Sequence, residues 1–314
     1  MCGQENTEPK ESVWQLVSHF FNDITHFDGK FFISMKDLIS KPGFLSKEYM
    51  VGRRAKYLNP IRMYVFTSFI FFLVFFSLYK VNENSIKVSI NKNNIENLDS
   101  AELKKLSSEL NNGKPLTKEE LKKKIDSNGI TFMRTKYKSK AEYDSLVKAG
   151  AIKDSWIKRM FTYKGIELNE KYKNNSRLFG ATLLDKVQHS IPQMLFVLLP
   201  LFALLLKLLY IRHKDFYYTD HAIFTIHFYI FVFIEMLLIF GFKKIQNITG
   251  AGWLSYINLA LILTIFFYLY KAMRNFYKQS RGKIILKYFL LLFSFLFVGV
   301  FLAVLFFFIS IFEI

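Results

Sequence analysis

The chain is predicted to be an all-α polytopic membrane protein, and three observations predict it. Five apolar runs are each long enough to cross a bilayer as helices. The segments between them differ sharply in basic content. Of the 314 residues, 36 are Phe, gathered in or beside the runs. A hydrocarbon core of roughly 30 Å takes about 20 apolar residues as a helix. The runs fall at 62–80, 191–211, 222–242, 254–271 and 286–312. Periodicity gives no help inside them, because a helix facing lipid is apolar all round. Residues 286–312 exceed the length of one crossing, so a tilted helix and a helix with an interfacial tail both fit.

The flanks predict orientation. Residues 1–61 form a basic segment whose Arg53, Arg54 and Lys56 lie beside the first run, followed by Arg62. Arg212 and Lys214 follow the second run, and Lys271, Arg274, Lys278, Arg281 and Lys283 follow the fourth. The turn after the third run holds only Lys243 and Lys244. Basic residues concentrate in cytoplasmic loops, which predicts a cytoplasmic N-terminus and an external C-terminus. The long segment 81–190 is also basic, but long loops translocate largely regardless of charge. It is therefore expected outside.

The formal charge of +18 raises nucleic acid as a partner. The basic residues flank membrane spans and no nucleic-acid-binding motif accompanies them, so the expected partners are the bilayer and anionic phospholipid headgroups. Membrane-protein partners are open. One cysteine, Cys2, leaves no intrachain disulfide and no reading of redox compartment. No compact signal-peptide core precedes the first run, so insertion is expected to rely on that run itself.

The insertion at 81–190 reads as a small, mostly helical module. Residues 85–90 alternate like a short strand. Thr117-Lys-Glu-Glu120 and Ser139-Lys-Ala-Glu142 match capping boxes, with turns expected at Asn112-Gly113 and Asn128-Gly129. In the N-terminal segment, Trp14, Leu16, Val17, Phe20, Phe21, Ile24, Phe27, Phe31 and Phe32 recur at helical spacing. That pattern predicts an amphipathic helix lying in the membrane interface. The break Lys41-Pro42-Gly43 separates it from a short helix at about 45–52.

These residues also carry a family resemblance. His26-Phe27-Asp28, Lys41-Pro42-Gly43, Tyr49, Gly52-Arg53-Arg54, Tyr57 and Pro60 form one ordered block. Leu199-Pro200-Leu-Phe-Ala203, Leu209-Tyr210, His221, Phe224 and His227 form a second. Together they resemble the bacterial family called domain of unknown function 3667. The resemblance implies an inner-membrane protein of Gram-negative bacteria and supplies no activity. It also implies an N-terminal four-cysteine zinc ribbon ending in Cys-Gly-Gln, of which Met1-Cys2-Gly3-Gln4 looks like the last part. A structural zinc site needs four ligands at defined spacing. With one retained, neither zinc nor any other cofactor is expected there.

Two groups of polar residues are candidate sites. His26, Asp28, Arg53, Arg54 and Tyr57 cluster at the approach to the first span, where contact of the acid and imidazole with the arginines would pin the amphipathic segment beneath the bundle. His227 and Glu235 lie inside the third span. An ionisable residue at membrane depth usually faces the bundle interior or a water-filled cavity, so the pair is a candidate proton or substrate path. Contact of Glu235 with Lys243, Lys244 or water is the competing assignment. The crowded loop holding His213, Asp215, Asp220 and His221 is expected to be ordinary loop polarity rather than a metal site. Lys207 is expected to snorkel to headgroups. No phosphate-cradling loop, nucleophile elbow or paired zinc motif occurs. The expected function is a non-enzymatic scaffold or assembly factor. A small-solute, proton or lipid transporter and an enzyme acting on lipid headgroups stand as alternatives.

Overall fold

A computed structural model describes residues 29–53, 56–81, 137, 139–172 and 176–314. Among the described residues all regular structure is helical. The helices are α1 (Gly29–Ser40), α2 (Phe44–Met50), α3 (Pro60–Leu78), α4 (Lys140–Lys148), α5 (Trp156–Tyr172), α6 (Ser176–Leu209), α7 (Tyr218–Thr249), α8 (Leu254–Tyr277) and α9 (Arg281–Glu313). The expected strand at 85–90, the capping box at 117–120, the turns at 112–113 and 128–129, and the amphipathic pattern before Gly29 lie outside the described residues. So do Cys2, His26, Asp28 and Arg54.

Among the described residues, five helices (α3, α6, α7, α8 and α9) are long and apolar enough to cross a membrane. The protein is therefore a multi-pass membrane protein, all-α among the described residues. Each sequence run falls on one of these helices, the first two runs ending just past Leu78 and Leu209, and α6 and α7 are much longer than their runs. At 34 residues, α6 is about 50 Å long at 1.5 Å per residue, well beyond the core it must cross. The fifth run is one continuous helix, α9. Aromatic residues stand exposed at both ends of the α7–α8 pair: Tyr217 and Tyr218 at one, Trp253 and Tyr256 at the other. Such belts mark the two headgroup levels.

The chain forms two compact units. The first joins the residues up to Tyr79 to Pro192–Leu302. Its centre is an aromatic packing of α3 on α7, where Phe71 stacks on Phe233 at 4.8 Å and on Phe240 at 5.8 Å. Helices in lipid gain little from hydrophobic transfer and associate through close packing, which large flat rings supply. The outer side of α9 shows the complement. Phe289, Phe293, Leu296, Phe297, Val300 and Phe301 form one exposed apolar stripe, as a lipid-facing surface requires.

The second unit joins Lys80–Ile191 to Ala303–Ile314. Leu168, Tyr172, Leu183, Ile311 and Ile314 form its apolar core. The expected helix start at Ser139 is present: the Ser139 hydroxyl accepts from the Glu142 amide at 3.2 Å. Tyr143 is fully buried and donates to Asp154 at 2.9 Å, while Lys158 donates to the same carboxylate at 2.6 Å. These bonds, that of Lys158 foremost, hold the Asp154 carboxyl below its ordinary value of 3.8. A depressed acid contributes stability above its unfolded pKa and loses it as pH falls through the folded one. Acidification from neutral pH to below 3.8 should therefore lower amide protection over 140–172, measured relative to the intrinsic exchange rate at each pH. Asp154→Asn should flatten that acid dependence, and an unchanged profile in the variant would remove Asp154 as its cause.

Candidate functional site

The site is built where the α1–α2 hairpin meets α7 and α8. Pro42 cannot continue α1, and Gly43 takes φ +77, a left-handed conformation that side-chain-bearing residues adopt only at a cost. Gly43 serves a second purpose. A Cβ at this position would lie 2.6 Å from the carbonyl oxygen of Ala272 on α8. Only a hydrogen there allows the turn to sit directly on the helix backbone, and the small Ala272 leaves room for it.

Polar contacts then fix the hairpin. Ser46 Oγ and His227 Nδ1 share a buried hydrogen bond of 2.9 Å. The Tyr268 hydroxyl donates to the Leu38 carbonyl at 2.7 Å, and the Asn275 amide donates to the Pro42 carbonyl at 2.9 Å. The carbonyls at a helix end lack intrahelical partners, and α8 supplies donors to the end of α1 and to the turn. Ser34 and Leu38 face inward while Phe32, Ile33 and Ile39 are exposed. The hairpin thus has an outer apolar face suited to lipid.

The strap from α2 to α3 is tied to the same element. The Leu58 amide donates to Ser34 Oγ at 2.9 Å, and the Tyr57 hydroxyl donates to Asp37 at 3.4 Å. Arg53 forms an ion pair with Glu48 at 3.0 Å. Of the sequence cluster His26, Asp28, Arg53, Arg54 and Tyr57, only Arg53 and Tyr57 are described, and their acids are Glu48 and Asp37. Asn59 caps α3 by accepting from the Ile61 amide at 2.9 Å, with Pro60 at the first helical position, where its missing N–H costs nothing.

The two intramembrane candidates have different surroundings. His227 is buried and engaged by Ser46. Glu235 is 8 % exposed, and its Oε2 has no hydrogen-bond partner among the described residues. It lines a cavity of about 310 Å³ together with Ser40 and Pro42 of the hairpin, Phe231 of α7, and Tyr268 and Lys271 of α8. Phe231 and Tyr268 lie face to face with centroids 3.6 Å apart and form one wall. Lys243, a competing partner for Glu235, lies over the Tyr79 ring.

A second polar cluster closes the end of the bundle near the α6–α7 turn. His221 Nδ1 and the Tyr277 hydroxyl are 2.7 Å apart, and Tyr277 stacks on Tyr210 at 3.6 Å. Lys287 places its ammonium 3.6 Å from the centre of the Tyr210 ring. Lys207 donates to the Phe216 carbonyl at 2.6 Å, closing the turn between the two helices. His213 contacts Gln279, so His213 and His221 are engaged by different side chains. Among the described residues no three His, Cys, Asp or Glu side chains gather closely enough to hold a metal ion.

The sequence reading missed Ser46, Tyr268 and Asn275. Tyr268, Ala272 and Asn275 stand four and three residues apart, hence on one face of α8. Two polar groups flanking a small residue is the signal that would have marked a docking face.

Residues 28–72 match the family described as "Protein of unknown function (DUF3667)", the family named by the sequence resemblance. The match covers the hairpin, the strap and most of α3. No curated protein and no solved structure matches the chain.

Proposed function

We propose that this DUF3667-type membrane protein is a non-catalytic scaffold or assembly factor of the bacterial inner membrane. In this reading the docked hairpin fixes the N-terminal segment at the cytoplasmic face. The observation that carries it is the seating of Gly43 on the backbone of Ala272, reinforced by the Ser46–His227 bond. The polar groups gathered at the hairpin hold chain to chain, and the family match covers this same element. His227, engaged in that way, supports an anchoring role better than a proton path.

The orientation is part of the proposal: N-terminus cytoplasmic, 81–190 and the C-terminus external. The charge asymmetry of the loops supports it. In a Cys2→Ser background, cysteine at the exposed Ser145 should react with an impermeant maleimide in intact cells. Cysteine at the exposed Lys278 should react only after lysis. The opposite pattern would invert the topology.

The scaffold reading is tested by comparing wild type and Gly43→Val after purification in mild detergent. Equal membrane insertion with loss of the co-purifying proteins is expected. An unchanged set in the variant would sink it. A second reading, transport of a small solute, proton or lipid, rests on Glu235 and its cavity alone. Full complementation by Glu235→Gln would leave it without an intramembrane charge. The headgroup-enzyme alternative rests on His26 and Asp28, and loses its basis if their joint replacement by Ala changes no phenotype.

A further inference from the structure

The cavity beside the hairpin carries an inference of its own, independent of the scaffold reading. Glu235 is more than nine-tenths buried, and its Oε2 is unpartnered among the described residues. A carboxyl group in an apolar setting is costly unless something donates to it. The space it lines is the 310 Å³ cavity, a volume in the range of small-ligand sites. Lys271, which lines the same cavity, is exposed, with its ammonium 5.8 Å from the Phe267 ring centre. Phe267 and Ile39 are exposed at 60 % and 46 %, so the lining continues into apolar surface available to acyl chains.

An acceptor for a cation inside and a cation at the edge are complementary to one kind of molecule. A simple metal cation would be met by Glu235 but would gain no ligand from the Lys271 ammonium, and a proton on Glu235 would leave the cavity and Lys271 unused. An anionic headgroup would be met by Lys271 but opposed by Glu235. A zwitterion whose terminal ammonium enters first and whose phosphate follows satisfies both. The ammonium must carry hydrogens to donate to Glu235, and the apolar rim suits a lipid rather than a free headgroup. The geometry points to a binding site for a phosphatidylethanolamine-type phospholipid, with its ammonium on Glu235 and its phosphate on Lys271. The Phe231–Tyr268 pair walls the headgroup, and the acyl chains lie along Phe267 and Ile39.

The test uses the full chain in mild detergent, with bound lipid counted by native mass spectrometry during titration. Phosphatidylethanolamine should bind in preference to phosphatidylglycerol and to phosphatidylcholine, whose trimethylated ammonium has no hydrogen to donate. Glu235→Gln should weaken phosphatidylethanolamine by about tenfold, the scale of one charge-assisted hydrogen bond. Lys271→Gln, an exposed change that leaves the packing intact, should weaken it as well. Water-soluble glycerophosphoethanolamine should compete poorly. Phosphatidylglycerol binding equally well would overturn the proposal, as would wild-type affinity in Lys271→Gln. Full competition by the soluble headgroup would overturn the lipid assignment. Should Glu235→Gln not fold, the lipid series and Lys271→Gln decide the matter alone. Neither substitution touches the Gly43 contact, so failure here leaves the hairpin test unaffected.

Discussion

Gly43→Val is expected to release the α1–α2 hairpin from the bundle. Two costs coincide at one atom. A β-branched residue at φ +77 is disfavoured by about 1–2 kcal/mol. Forcing a Cβ to within 2.6 Å of the Ala272 carbonyl adds an overpacking term of about 1–3 kcal/mol. The neighbour is helix backbone and cannot rotate away. Displacement of the turn then breaks the Tyr268–Leu38, Asn275–Pro42 and Ser46–His227 bonds together. The check is a cysteine pair, Ser46→Cys with His227→Cys in a Cys2→Ser background. The pair should cross-link readily while Gly43 is kept and poorly once Gly43→Val is added. Equal cross-linking would show that the turn tolerates the side chain. Ser46→Ala is the milder comparison. It removes one buried hydrogen bond from an imidazole that also bonds the Ile223 backbone, at about 0.5–1.5 kcal/mol, without a steric reason for the hairpin to leave.

Tyr277→Ala is expected to give the larger loss of overall stability. Its ring stacks on Tyr210 and contacts Phe216, Phe224 and Phe276, so truncation opens a cavity in the first unit. Removing a buried aromatic ring costs about 3–5 kcal/mol. The lost hydroxyl also leaves His221 without its Nδ1 partner, and His221 Nε2 already has none among the described residues. Tyr277→Phe keeps the ring and removes only the bond, so it should cost a fraction of this, about 1–3 kcal/mol. Thermal melts of the three proteins in one detergent check the order. A Phe variant as unstable as the Ala variant would mean that the hydrogen bond, not the ring, carries the site.

Parts of the site were legible in the sequence because they are local. Pro42 and Gly43 announce a break from their own backbone restrictions, and Ser139 announces a helix start from its spacing to Glu142. Arg53 and Tyr57 were singled out, yet their acids were not identified. Glu48 and Asp37 are ordinary helix residues until α1, α2 and the strap fold onto one another. The same applies to His227 and Glu235. The sequence marks both as polar groups within a span, eight residues apart, and says nothing of which has a partner. Ser46, 181 residues from His227, is brought to it only by the docked hairpin.

Five crossings, the all-α class and the unequal basic flanks follow from the sequence by itself. Each depends on the length and composition of a contiguous segment set against the thickness and surface charge of a bilayer. The tertiary structure decided which polar groups meet. Spans that are apolar all round carry no periodicity to reveal how each helix is rotated, so rotation is fixed only when helices pack. That packing sealed His227 against Ser46, set Tyr277 between His221 and Tyr210, and left Glu235 facing open space.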